Sequence, residues 1–197
     1  MKNHTNHNSG KIHLIIGGAR SGKSTYAEKC ARELSETVLY LATAVVTDED
    51  MAQRIQKHRE TRPQSWPTIE RFKAFEEIVD SPEFQSSEVL LLDCLTIMMT
   101  NLMFDEPIDY DHVAPEKLII IESKIWMEIE KLLTLAKTSG KHLIIVSNEV
   151  GMGLVPSYKL GNYFRDISGR MNQKVAAFAD EVTFVAVGLP LKMKGGH

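Results

Sequence analysis

Short, nearly continuous apolar runs alternate with longer stretches of mixed polarity along this chain, and that alternation predicts its elements. Residues 12–16, 38–42, 89–93 and 142–146 are too short for helices and read as buried strands. Residues 68–70 suggest a further brief strand and residues 182–187 a last one. Between them, residues 25–34 carry good helix formers and no breaker. Residues 48–60 predict a polar helix with Asp48, Glu49 and Asp50 in its first turn, halted by Pro63. Residues 72–79 predict a short helix, 95–104 another, and 116–138 a long amphipathic one stopped by Ser139 and Gly140. Residues 158–179 read as the final helix, and the acidic, proline-containing stretch 105–115 as a surface loop. Strands alternating with helices imply an α/β fold with a mainly parallel sheet. No repeat or linker divides the chain, so residues 12–194 are expected to form one domain behind a polar, disordered tail, 1–11.

Composition then narrows the class. The chain has 197 residues, 43% hydrophobic and 25% charged, as in a water-soluble globular domain. A net charge of -3 argues against a broad nucleic-acid surface, which needs clustered Lys and Arg. Cys30 and Cys94 lie in apolar stretches and read as reduced core thiols. No apolar run reaches membrane-spanning length and the N-terminal segment lacks an apolar signal core, so a cytoplasmic protein is expected. His4 and His7 fall in the polar tail and are not expected to be ligands.

One segment carries explicit chemistry. Gly17-Gly18-Ala19-Arg20-Ser21-Gly22-Lys23-Ser24 fits G-x-x-x-x-G-K-[ST] without a mismatch, between a predicted strand and a predicted helix. In that setting backbone N–H groups converge on phosphate oxygens, Lys23 reaches the β- and γ-phosphates, and Ser24 offers its hydroxyl to Mg²⁺. A nucleoside triphosphate is the expected ligand. Asp93 ends an otherwise apolar strand, where such a loop places the carboxylate that orients Mg²⁺; an ordinary helix cap is the plainer reading of the same residue. Glu149, just past the strand at 142–146, falls at the same sheet edge.

Residues 51–63 add a second signal. On a helix, Met51, Ile55 and His58 share a face, and Arg54 and His58 are neighbours. The spacing fits a histidine presented beside cations suited to phosphate, and equally a half-buried histidine at a helix end.

Taken together, Gly17 to Ser24, Tyr40-Leu41-Ala42-Thr43, Arg54-Ile55-x-x-His58-Arg59-x-x-Arg62-Pro63, Asp93-Cys94-Leu95-Thr96 with Asn101, Asn148-Glu149-Val150-Gly151-Met152-Gly153 and Arg165-Asp166-x-x-Gly169-Arg170-x-Asn172 resemble the bifunctional adenosylcobinamide kinase / adenosylcobinamide-phosphate guanylyltransferase family. The likeness runs from about residue 12 to the last strand, with each block in order. It implies a P-loop NTPase of RecA-like architecture and two reactions. ATP or GTP phosphorylates adenosylcobinamide, and GMP is then transferred from GTP to adenosylcobinamide phosphate, giving adenosylcobinamide-GDP in the cobalamin pathway.

The resemblance places His58 as the residue that becomes guanylylated, with Lys23 as the other catalytic group. Some relatives carry two adjacent histidines here, whereas this chain has Lys57 before His58. The expected nucleotide-binding set is Gly17, Gly18, Ala19, Arg20, Ser21, Gly22, Lys23, Ser24, Thr25, Arg59, Arg62, Pro63, Glu70 and Thr96, with Mg²⁺ on Ser24 and Asp93. Glu149, Arg165 and Arg170 are candidates for substrate binding, although the two arginines fit ion pairs with acidic neighbours equally well. A homotrimer is implied by the family and not by any spacing. Met98, Met99, Leu102 and Met103, and the stripe formed by residues 119–121 with Ile125, Trp126, Ile129, Leu132 and Leu133, read as core or subunit packing. Other P-loop readings are a small-molecule kinase without nucleotidyl transfer and a GTP-dependent switch.

Overall fold

The computed structural model describes residues 10–44 and 63–195. β1 (Ile12–Gly17), α1 (Lys23–Leu34) and β2 (Val38–Ala42) open the fold. After β3 (Thr68–Glu70) come a 3-10 turn (Phe75–Ile78), α2 (Pro82–Ser86), β4 (Val89–Asp93) and α3 (Leu95–Met103). α4 (Pro115–Thr138), β5 (His142–Asn148), α5 (Lys159–Phe178), β6 (Glu181–Ala186) and β7 (Leu189–Lys194) complete it. The seven strands lie in the order β3-β2-β4-β5-β1-β6-β7. All neighbours pair in parallel except β6 and β7. The α/β architecture expected from the alternation is the one observed.

The interior strands β1, β2, β4 and β5 are mostly apolar because both faces of the sheet are covered there, whereas the edge strands β3 and β7 are largely exposed. Successive side chains point to opposite faces, so each strand feeds two core layers. Leu39, Leu41, Leu90 and Leu92 join Met98, Ile125 and Met171 in one, while Val38, Tyr40, Val89 and Leu91 join Ala27 and Ala31 of α1 in the other. Met98, Met99 and Met103 are core residues, as expected. Both cysteines are free thiols, Cys94 buried. On α4 the buried face is Ile121, Ile125, Ile129, Leu132 and Leu133, whereas Ile119 and Ile120 are exposed. The expected stripe is therefore narrower in this chain, because 119 and 120 fall off the face set by the 3.6-residue period. Among the described residues no helix is long and apolar enough to cross a membrane.

Four expectations change. The helix expected at 72–79 is only the 3-10 turn, because Ala74 takes a left-handed φ of 54° that stops a helix from running through it. α2 was not anticipated; Ser81 caps it by accepting from the Phe84 N–H, with Pro82 in its first turn. The strand expected last is followed by β7, an antiparallel edge strand reached through Val187 and Gly188, both at positive φ. Gly10 and Lys11, assigned to the tail by sequence, belong to the packed body: Lys137 Nζ donates to the Gly10 carbonyl at 3.2 Å, and Lys11 N–H to His142 Nδ1 at 3.2 Å. The helix expected at 48–60 lies outside the described residues.

Candidate active site

Parallel strands bring their carboxyl ends to one edge, and there the sequence concentrates its chemistry. β1 ends at Gly17 and β4 at Asp93, with only β5 between them; Gly17 is in register with Asn148, and Asp93 with Val146.

Gly17 must be glycine, since a Cβ there would lie 2.3 Å from the Val185 carbonyl oxygen. The loop then turns through Arg20 at φ 57° and Gly22 at φ 92°, Gly22 being the residue that caps α1. Ser21 N–H donates to the Gly18 carbonyl at 3.2 Å, and Gly188 N–H to the Ser21 carbonyl at 2.8 Å. The first N–H groups of α1 thus face the loop, a ready anion site. Lys23 opens the helix, and its Nζ donates to the Gly18 carbonyl at 3.0 Å. Burial pushes the Lys23 ammonium below its ordinary value, while negative charge at Cys94, once that thiol ionises, and at Asp93 acts to raise it. Cys94 itself is pushed up to about 11, chiefly by burial and then by Asp93 beside it. It is an inert thiol at neutral pH.

Asp93 has a partner that sequence reasoning did not assign: the hydroxyl of buried Tyr40 donates to Asp93 Oδ2 at 2.7 Å. The only local signal was an aromatic in an otherwise aliphatic strand. Thr43 adds a second tie, its Oγ1 donating to the Cys94 carbonyl at 2.8 Å and accepting from the Cys94 N–H at 2.9 Å. Asn101 Nδ2 donates to the Thr43 carbonyl at 2.7 Å.

The other expected residues sort by position. Ser24 follows Lys23 on α1, and Thr25 is exposed one residue on. Thr96 is buried in the first turn of α3, and its Oγ1 accepts from the Asn148 N–H at 2.7 Å. That contact joins a buried chain in which Ser147 Oγ donates to Asn172 Oδ1 at 2.7 Å. Glu149 N–H donates to the Gly17 carbonyl at 3.0 Å, tying the end of β5 to the phosphate loop. Its carboxylate accepts from Gly151 and Met152 N–H at 2.7 and 3.0 Å, folding its own loop back. Glu70 ends β3 in register with Ala42. Arg165 lies 3.7 Å from Asp166. Arg170 is gripped by Glu122 of α4, Nε at 2.9 Å from Oε1 and Nη2 at 2.7 Å from Oε2. Arg170 therefore makes the ion pair that is one of its two readings. Pro63 begins the second described stretch, its carbonyl accepting from Trp66 N–H at 3.1 Å. His58, Arg59 and Arg62 lie outside the described residues.

The donor set fits a magnesium ion. A single carboxylate at the strand end with one oxygen already bonded, and a hydroxyl at the head of α1, are hard oxygen ligands. Among the described residues no group of three or more His, Cys, Asp or Glu could hold a metal alone.

A family model described as cobinamide kinase / cobinamide phosphate guanyltransferase matches residues 13–193. Bifunctional adenosylcobalamin biosynthesis protein CobU of Escherichia coli (strain K12) is 42% identical over 186 residues, covering 92% of this chain and 98% of that protein. CobU of Salmonella typhimurium is 39% identical over 186 residues, with the same coverage. The bifunctional adenosylcobalamin biosynthesis protein CobP of Pseudomonas aeruginosa is 39% identical over 183 residues, covering 92% of this chain and 96% of its own length.

Proposed function

This chain belongs to the cobinamide kinase / cobinamide phosphate guanyltransferase family, and from that premise we propose that it performs both reactions on adenosylcobinamide through one nucleotide site. In the first, the aminopropanol hydroxyl attacks the γ-phosphorus of ATP or GTP, releasing the nucleoside diphosphate. In the second, an imidazole nitrogen of His58 attacks the α-phosphorus of GTP and releases pyrophosphate. The phosphate of adenosylcobinamide phosphate then displaces His58, giving adenosylcobinamide-GDP. An imidazole is largely unprotonated at neutral pH, and its bond to phosphorus splits one difficult transfer into two easier ones.

The observation that carries this reading is the arrangement at the sheet edge. Lys23 lies on the phosphate loop, Asp93 is within electrostatic reach of it, and both stand at the carboxyl ends of parallel strands. Backbone N–H groups of the loop bind the triphosphate, and Lys23 offsets charge building on the transferred group. Ser24 and Asp93 would hold Mg²⁺, which when bound neutralises phosphate charge. Arg59 and Arg62 are assigned to the phosphates, with forked donors suited to their oxygens. Thr25, Pro63, Glu70 and Thr96 are assigned to the rest of the nucleotide, and Glu149 and Arg165 to the corrinoid side.

The reading carries with it a cytoplasmic location and a homotrimer. Self-association is supported by β7, where Leu189, Leu191 and Met193 are each about two-thirds exposed. The direct test is to incubate the protein with adenosylcobinamide, Mg²⁺ and GTP and follow the corrinoid by mass. The mass is expected to rise by one phosphoryl group and then by GMP. Hydrolysis of GTP with the corrinoid unchanged would refute the proposal.

A further inference from the structure

We propose that Tyr40 is a positioning residue that holds the Asp93 carboxylate in the orientation needed for a nucleotide-bound magnesium ion; this rests on the assignment of Asp93 above. β2 and β4 pair with Tyr40 opposite Leu91 and Ala42 opposite Asp93. Residues two apart on a strand share a face, so the Tyr40 ring lies on the same side as the carboxylate, in the core layer that holds Ala27 and Ala31 of α1. The ring is 3% exposed and packed in the core. Its hydroxyl reaches the end of the neighbouring strand and donates to Asp93 Oδ2 at 2.7 Å.

A hydrogen bond to an ionised carboxylate is among the stronger ones, and this one fixes rotation of the carboxyl group. It engages Oδ2, and among the described residues Oδ1 accepts no hydrogen bond and is left for an ion. The backbone is held as well: Thr43 N–H donates to the Asp93 carbonyl at 3.3 Å, and the Thr43 hydroxyl brackets Cys94 on both sides. The end of β2 thus fixes main chain and side chain of Asp93 together. Partners that orient a metal-bound carboxylate are part of the metal site in energetic terms.

The test compares GTP affinity with and without Mg²⁺. In Tyr40→Phe the gain in affinity that Mg²⁺ confers is expected to fall by about tenfold, while metal-free GTP binding stays at the wild-type value. Asp93→Asn is expected to abolish the gain, and Tyr40→Phe added to it to change nothing more. 4-Aminophenylalanine at position 40, which restores a donor, should recover most of the gain. 4-Fluorophenylalanine, which fills the space without a proton, gives the same reading as Tyr40→Phe if that variant does not fold. A full Mg²⁺ gain in the non-donor variants, with Asp93→Asn defective, would overturn the role of Tyr40 alone. A full gain in Asp93→Asn would overturn the Asp93 assignment and this inference with it. Equal weakening of metal-free and Mg²⁺-dependent binding in the non-donor variants would mark Tyr40 as a packing residue only.

Discussion

The backbone N–H of Gly188 donates to the carbonyl of Ser21 at 2.8 Å, so the turn between the last two strands braces the phosphate loop from outside. Both Gly188 (φ 81°) and Gly22 (φ 92°) are left-handed, and a Cβ on Gly22 would lie 3.2 Å from the Gly188 Cα. Gly188 has open space around its own Cβ position. Gly188→Ala is therefore expected to cost about 1–2 kcal/mol of backbone strain with little change in the KM for GTP. Gly22→Ala adds a tight contact with Gly188 to the same strain and is expected to raise that KM and lower Tm further. Thermal melts with steady-state kinetics check this; identical profiles for the two variants would contradict it.

Ser21 Oγ is buried and has no hydrogen-bond partner among the described residues. An unsatisfied buried hydroxyl costs about 1–3 kcal/mol, so Ser21→Ala is expected to leave stability unchanged or raise it. GTP affinity should hold if, as proposed, the loop meets phosphate through its backbone. A tenfold loss of GTP affinity would show instead that the hydroxyl itself meets the nucleotide.

Arg170 and Glu122 bind two-pronged across α5 and α4, which raises the Arg170 pKa through the Glu122 hydrogen bond. Arg170 is half exposed, so solvent screening limits the pair to about 0.5 kcal/mol. Arg170→Gln is expected to lower Tm slightly and leave the KM for both nucleotide and corrinoid unchanged. A several-fold rise in corrinoid KM without loss of Tm would return Arg170 to the substrate site.

The fold was legible where chemistry is local. The strands at 38–42 and 89–93 fall at the positions that apolar runs indicate, because interior strands covered on both faces leave few polar positions to blur them. β7 was not legible: Pro190 and alternate exposed apolar residues read poorly as a strand, and its turn uses Val187 and Gly188 in place of an Asn-Gly pair. The phosphate loop declared itself through glycine spacing. The partners of Asp93, Thr96 and Arg170 lie about fifty residues away in sequence, so they emerged only once strand register and helix packing were known. The role proposed for His58 rests on the family resemblance, since its spacing fits either reading and it lies outside the described residues.

His13 gives a stability signature that does not depend on the site. Its Nε2 lies 2.9 Å from Thr183 Oγ1. Burial pushes its pKa below the ordinary value; Glu181 works against that shift and Lys192 adds to it. Above about pH 6.5 the ring is neutral folded or unfolded and contributes no pH dependence. As pH falls through the unfolded value, only the unfolded chain takes up the proton, so stability declines until the folded value is reached. His13→Gln should flatten this part of the curve of unfolding free energy against pH. An unchanged acid decline in that variant would contradict the assignment.

The division of labour proposed for Lys23 and His58 is tested most directly by incubating the protein with α-labelled GTP and Mg²⁺, denaturing it, and counting label on the polypeptide. The expected result is an acid-labile adduct in the wild type, absent in His58→Ala, with Lys23→Ala defective in both labelling and phosphorylation. Phosphorylation of adenosylcobinamide should survive in His58→Ala. Label that persists in His58→Ala, or adenosylcobinamide-GDP formed at the wild-type rate by that variant, would contradict a guanylyl-histidine route.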